Sequence, residues 1–255
     1  MPFKVFITGA SGGIGAALAK HYAAQGATLG LVARRAPEMR SLAASLSTPV
    51  SIHALDVSDN AALAAAAEDF IARHGLPDIV IANAGISIGT LGGLAEDIAV
   101  LAKVMQTNVI GLAATLQPFV APMRERGSGT LVGIASVAGF RGLPGAGAYS
   151  ASKSAAITWL ESLRVELHAS GVDVVTICPG YIATPMTATN TFRMPFLLEA
   201  PEAARRIARA IAAKKRLAII PWQMRLVFFF LRRVPDWLYD RLFSRAPRKA
   251  RDLPT

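Results

Sequence analysis

Tyr149 and Lys153 stand four residues apart, so on a helix they share one face, one turn from each other. A phenol titrates near ~10 when unperturbed, and a fixed ammonium beside it favours the phenolate; the pair can then exchange a proton near neutrality. A chain with four tyrosines can produce this spacing by accident, so its meaning depends on what surrounds it. Upstream, Ser136 offers a hydroxyl at the end of a β-prone run, Thr130 to Ala135. A loop with glycines at 139, 142, 145 and 147 returns the chain to Tyr149.

Positioning such groups requires strands that end together and helices that start beside them. Val5-Phe6-Ile7-Thr8 is a short apolar run that breaks into Gly9-Ala10-Ser11-Gly12-Gly13-Ile14-Gly15, followed by a helical pattern through Leu18 and Tyr22. Glycines at 9, 13 and 15 permit a tight turn and close backbone approach, and the helix start presents free N–H groups to a pyrophosphate. Alternation continues with a strand at 28–33, a helix at about 37–46, a strand at 50–55 closing on Asp56-Val57, a helix at 61–74 and a strand at 78–82. This reads as a doubly wound α/β Rossmann fold, a mostly parallel seven-stranded sheet with helices on both faces. Asn83-Ala84-Gly85 follows the fourth strand, where the ligand crevice of such sheets lies.

A long helical region at about 97–126 carries Asn108 among Leu101, Val104, Met105 and Leu112. Asparagine is unfavourable inside a helix, so it is either bonded to helix backbone or one end of a water relay into the crevice. The helix after Tyr149 buries Ala156, Trp159, Leu160, Leu163 and Leu167, while Ser152 and Ala155 leave another face smooth. A strand at 172–177 leads to Pro179-Gly180-Tyr181-Ile182-Ala183-Thr184 and an irregular, lid-like stretch to Ala200. A helix at about 202–213 and a strand at 217–220 close the core.

The second strand ends in Arg34-Arg35, where a cofactor with a free ribose 2′-hydroxyl would call for an acid. Two guanidiniums suit a 2′-phosphate instead, and this selects NADP(H).

Composition bounds the rest. The 255 residues, 53% of them hydrophobic, suffice for one large core. A single cysteine, Cys178, excludes an internal disulfide framework, and the four histidines lack metal-ligand spacing, so no metal site is expected. Strand-like sequence from Phe3 leaves no room for a signal peptide, which points to a cytoplasmic protein. The net charge of +10 lies wholly in the last quarter, since residues 193–255 hold 15 Lys+Arg against 5 Asp+Glu. One basic face follows, not a nucleic-acid surface spread over the protein.

In order and spacing, the glycine turn 8–15, Asp56, Asn83-Ala84-Gly85, Asn108, Ser136, Tyr149 with Lys153, and the 179–184 segment resemble the single-domain short-chain dehydrogenase/reductases. The resemblance covers residues 3 to about 220; it departs at Ala82, where many members carry a further asparagine. It implies an enzyme moving a hydride between a nicotinamide and a carbonyl or secondary alcohol. By resemblance, Gly9, Ser11, Gly13, Ile14 and Gly15 hold the pyrophosphate and ribose, Asp56 and Val57 the adenine edge, and Asn83, Ala84 and Gly85 the back of the site. Pro179, Gly180, Ile182 and Thr184 embrace the carboxamide. Ser136 bonds the substrate oxygen, Tyr149 exchanges its proton, Lys153 binds the nicotinamide ribose and depresses the Tyr149 pKa, and Asn108 anchors a relay water. Subunit contacts through the helices of Tyr149 and Asn108 imply a homodimer or homotetramer. A silent cofactor-binding sensor on the same fold would have lost the tyrosine or lysine. An epimerase or dehydratase would need a larger C-terminal domain.

Residues 1–220 thus form the dehydrogenase domain and 221–255 a basic, apolar helical extension. The longest apolar run in the extension is six, far below the ~18 that a spanning helix needs. Two readings stay open for it. Its Phe cluster packs over the substrate pocket or a partner subunit, or its Trp, Phe and Arg residues lie peripherally on the inner face of a membrane. A pocket roofed by Phe and Met favours an apolar, lipid-like or acyl-chain ketone.

Overall fold

The computed structural model describes residues 3–246, 248, 249 and 251. Nine strands are defined among them: β1 (Lys4–Thr8), β2 (Thr28–Ala33), β3 (Val50–Ala54), β4 (Ile79–Ala82), β5 (Gly129–Ile134), β6 (Val172–Pro179), β7 (Ile182–Ala183), β8 (Leu198–Glu199) and β9 (Leu217–Ile220). Seven form one wholly parallel sheet in the order β3-β2-β1-β4-β5-β6-β9, and β7 pairs with β8 separately. The register aligns Val5 with Leu29 and Ile79, so the strands around β1 end level with one another. All six residues of β2 are buried, as expected for a parallel strand covered on both faces.

Helices α1 (Gly13–Ala23), α2 (Ala36–Ala44) and α8 (Ala200–Ala212) cover one face. On that side Leu18, Met39 and Ile207 meet Ile7, Leu29 and Val175. On the other, α3 (Asn60–His74), α5 (Gly111–Arg126) and α6 (Gly147–Glu166) bury Phe70, Phe119 and Leu160 against Phe6, Val80 and Leu131. Phe6 sits within 5.5 Å of Phe70 and 5.1 Å of Phe119, centroid to centroid, close enough for favourable aromatic contact.

The long helix expected at 97–126 is interrupted. It runs as α4 (Asp97–Met105), a π-turn over Gln106–Ile110, and α5. The 30-residue run is apolar and long enough to cross a membrane by length and composition, but Val104, Leu112, Leu116, Phe119 and Met123 are buried in the fold. The expected lid contains one short helix, α7 (Pro185–Ala188).

The extension forms α9 (Gln223–Leu231) and α10 (Asp236–Phe243). Met224 and Phe228 dock α9 against Ala135, Val137 and Cys178. Gly180 makes this possible, since a Cβ there would come within 2.8 Å of the Met224 side chain. Arg141 then fastens the turn between the helices. It donates to the carbonyls of Leu231 and Val234, pairs with Asp236 at 3.0 Å and stacks over Tyr239 at 3.9 Å. The Tyr239 hydroxyl donates to the Gly142 carbonyl at 2.6 Å.

Candidate active site

The cleft lies over the carboxyl ends of β1, β4, β5 and β6. At one end the glycine turn leaves β1 with Gly9 at φ +68°, where a Cβ would sit 2.8 Å from Asn83 and Ala84. A Cβ on Gly15 would be driven to 2.2 Å from the Gly9 carbonyl. Helix α1 therefore starts hard against the turn. Its N-terminus carries no side-chain cap and no acid in the first turn. Uncapped N–H groups at a positive helix end, fronted by a cradle that side chains would fill, fit a dinucleotide pyrophosphate.

Thr8, which the motif reading passed over, locks this turn to the next strand. Its buried Oγ1 accepts from the N–H groups of Asn83 (3.1 Å) and Ala84 (3.3 Å), while Asn83 Nδ2 donates to the Thr8 and Gly9 carbonyls at 3.0 and 3.3 Å. The one signal for it was position, directly before Gly9. At the rim, Arg35 reaches over Gly12 to donate to Ser11 Oγ at 3.1 Å. Arg34 instead lies 3.5 Å from Asp56, so the two arginines do not act as one clamp. Burial pushes the Asp56 carboxyl up, but bonds from the Ser58 N–H and hydroxyl, together with Arg34, hold it below the usual carboxylate range. The Val57 side chain is core, packed where a Cβ on Gly111 would meet it at 2.9 Å.

At the other end, Ser136 leaves β5 in extended conformation and caps a short 3₁₀ turn. Its Oγ accepts from Ala138 N at 3.2 Å and donates to the Pro179 carbonyl at 3.4 Å. Gly139 lets this turn rest on α6, since a Cβ would approach the Lys153 backbone to 2.7 Å. The Ser136 hydroxyl comes within reach of the Tyr149 phenol. Lys153 Nζ is buried, donates to the Ile134 carbonyl at 2.8 Å, and lies 5.7 Å from the centre of the Tyr149 ring. A Cβ on Gly85 would stand 3.5 Å from that ammonium and 3.2 Å from Asn108 Oδ1, so lysine, asparagine and the β4 loop converge.

The electrostatics differ from the sequence expectation. Burial pushes the Tyr149 phenol above its ordinary value, and the Ser136 hydroxyl draws it back only in part. Burial also pulls the Lys153 ammonium down to about 8. In the protein alone, burial governs both groups, and tyrosine holds its proton more tightly. Cys178, beneath Ser136, is pushed up to about 12 by burial and is no nucleophile.

Asn108 is bonded to backbone, but to that of the loop after β4 and not to its own helix. Its Oδ1 accepts from the Ile86 N–H at 2.8 Å, and its Nδ2 donates to the Ile86 carbonyl at 2.9 Å and to Ser152 Oγ at 3.0 Å. The π-turn swings this side chain out of the helix ladder and onto the loop after β4. Ser152, expected on a smooth outer face, is fully buried as the link from Asn108 to the Tyr149 carbonyl at 2.8 Å.

The 179–184 segment closes the cleft. Gly180 N–H donates to the Ile220 carbonyl at 2.7 Å, Ile182 is buried in β7, and Thr184 caps α7. A Cβ on Gly13 would meet Thr184 at 3.1 Å, so this segment faces the glycine turn across the cleft. Pro179 ends β6. The Phe cluster of the extension does not form the expected roof over the substrate pocket. Met224 and Phe228 pack behind the Ser136 loop, with Phe228 6.0 Å from Phe140, and do not roof the cleft, while Phe229 and Phe230 are exposed. Among the described residues no group of His, Cys, Asp and Glu could hold a metal.

Comparison with known proteins decides the family. The family model for short chain dehydrogenase matches residues 4–194. The chain belongs to that family. An uncharacterized oxidoreductase of Myxococcus xanthus is 38% identical over 237 residues, which is 92% of this chain and 93% of that protein. Bovine dehydrogenase/reductase SDR family member 7B is 31% identical over 273 residues, covering 97% of this chain and 82% of the relative. Among solved structures, levodione reductase superposes with a TM-score of 0.79 at 28% identity, covering 88% of this chain and 98% of that one. The alcohol dehydrogenase of Thermococcus sibiricus, complexed with 5-hydroxy-NADP, gives 0.75 at 26%, covering 86% and 96%. This short-chain dehydrogenase is accordingly an oxidoreductase acting on CH–OH or C=O groups.

Proposed function

We propose that this short-chain dehydrogenase reduces an apolar ketone with NADPH. The observation that carries the reading is the convergence of Ser136, Tyr149 and Lys153 at one end of a cleft whose other end is an uncapped helix start rimmed by Arg35 and Ser11. Gly9, Gly13, Ile14 and Gly15 would hold the pyrophosphate, Arg35 with Ser11 the 2′-phosphate, and Asp56 with Val57 the adenine edge. Asn83 to Gly85 would back the site, and Pro179 to Thr184 would close over the carboxamide.

When bound, the reduced nicotinamide supplies the hydride. The chain supplies orientation and one proton. Ser136 donates to the carbonyl oxygen of the substrate and fixes its face. Tyr149 hands its proton to that oxygen as negative charge develops there; a phenol is protonated at neutral pH, as reduction requires. Lys153, beside Gly85, would bond the ribose and stabilise the phenolate left behind, and Asn108 would anchor the water that returns the proton.

The apolar preference rests on residue types: the loop from Ala138 to Ala148 is mostly small and apolar, and Tyr181 meets Phe192 edge-on at 6.2 Å. Ile98, Ile110 and Val165 are exposed on α4, the π-turn and α6, which supports a homodimer or homotetramer through those helices. Oxidation of NADPH and NADH should be followed against ketones graded from short and polar to long-chain and steroidal. Turnover with NADPH that rises with apolar bulk is the expected result; turnover confined to polar ketones or to NADH rejects the reading.

A further inference from the structure

The two helices of the extension bury one side and leave the other bare. On α9, Met224 and Phe228 face the core, while Trp222, Leu226, Phe229 and Phe230 recur at offsets 0, 4, 7 and 8 on the outer face. Trp222 is 63% exposed and Phe230 65%; on α10, Trp237 is 69% exposed with Leu242 nearby in sequence. Six large apolar side chains outside a core built from the same two helices are costly in water, at about 25 cal/mol per Å² of apolar surface.

Charge accompanies them. A groove of about 540 Å³ beside α9 has Phe140, Ile219, Phe228 and Phe229 as its apolar walls and Arg225, Arg232 and Arg233 around it. Arg233 stacks over Phe229 at 3.6 Å, and none of the three arginines forms an ion pair among the described residues. A second basic groove adjoins it through Ile219 and Arg225 and adds Arg209 and Lys215 from the end of α8 and the turn before β9. Arg205 and Arg206 there are already held by Glu202. The nearest acid on the extension, Asp236, is held by Arg141.

We infer that this face docks the protein on an anionic lipid bilayer, with the outer aromatics of α9 and α10 seated among the acyl chains and Arg225, Arg232 and Arg233 on lipid phosphates. Large aromatics bordered by arginine, on helices too short to span, match an interfacial site, where apolar burial and attraction to anionic headgroups add. A second copy of the chain fits less well, because apposing this face with itself would bring unpaired guanidiniums together. Nucleic acid would leave the aliphatic and aromatic groups with little to bury them. Because Arg141 binds the turn between α9 and α10 to the loop that follows Ser136, docking would bring the substrate loop to the membrane surface.

The test is flotation of the full-length protein with vesicles of phosphatidylcholine alone and of phosphatidylcholine mixed with phosphatidylglycerol. Binding to the mixed vesicles should exceed that to neutral ones by about tenfold or more and should weaken as salt is raised. The exposed pair Phe230→Glu with Trp237→Glu should reduce it by about tenfold or more, with Tm and NADPH affinity unchanged to show that the fold is intact. Equal or absent binding to both vesicles overturns the proposal, as does wild-type binding by the double variant. A drop in oligomer size in that variant, without vesicle binding by the wild type, would assign the face to a second copy; retention of RNA without vesicle binding would assign it to nucleic acid. Neither readout depends on turnover.

Discussion

The two ends of the cleft are built differently. At the Tyr149 end the polar side chains around the phenol are bonded inside the fold: Asn108 to Ile86 and Ser152, Ser136 to Ala138 and Pro179, Lys153 to Ile134. At the Arg35 end the turn is fixed by glycine sterics and by Thr8, and the groups that would choose between cofactors stand in water, more than half exposed. Geometry that must be accurate to a fraction of an ångström is set by buried bonds. Recognition of a charged group is left to mobile guanidiniums, which can change without disturbing the sheet.

Five substitutions probe this contrast, beginning with the largest effect. Tyr149→Phe should lower kcat by about 10²- to 10⁴-fold with NADPH affinity largely kept; stopped-flow turnover beside fluorescence titration checks it, and retained turnover rejects the proton-donor role. Asn108→Leu should lower stability by about 2–5 kcal/mol, because Ile86 keeps a buried N–H and carbonyl without partners. Urea unfolding measures this, and a loss under 1 kcal/mol would mean that the π-turn holds itself.

Lys153→Met should abolish turnover yet raise Tm at pH 7. In the fold the ammonium is pulled from 10.5 to about 8, a penalty of about 3 kcal/mol on the charged form. Below about 8 both folded and unfolded chains hold the proton and the full penalty applies. Between about 8 and 10.5 the folded protein sheds it first, so wild-type stability gains with rising pH relative to the variant. The Tm advantage of the variant should therefore shrink across that window; a constant advantage would show that the lysine is not desolvated. Smaller again, Arg35→Ala should weaken NADPH by about ten- to a hundredfold with NADH little changed, from loss of about 1.5–3 kcal/mol of charge-assisted bonding. Arg34→Ala, whose partner is an exposed Asp56, should cost less. Equal losses for both dinucleotides would remove the 2′-phosphate argument.

What could be read from the chain follows the same division. The glycine turn, the alternation of strands and helices, and the Tyr149-Lys153 spacing are local patterns, and each lies where it was expected. The roles of Thr8, Ser152 and Arg141 were not legible because their partners lie far away in sequence: Thr8 acts on Asn83, Ser152 on Asn108 and Arg141 on Leu231. The burial of Tyr149 was not legible for a related reason. A neighbouring charge shows in a four-residue spacing, whereas burial is the sum of the whole fold around it. Which side of the extension packs on the core was not legible, because Met224 and Phe228 meet residues far away in sequence.

One further consequence attaches to the way α9 covers Cys178. This is the single thiol in the chain, and it lies under Met224 and Phe228. A maleimide or disulfide reagent can reach it only when α9 lifts away, so the labelling rate counts openings of the extension and the unmodified protein carries its own probe of that motion. Added vesicles that hold α9 in place would slow the reaction, whereas loss of the Arg141 tie would quicken it.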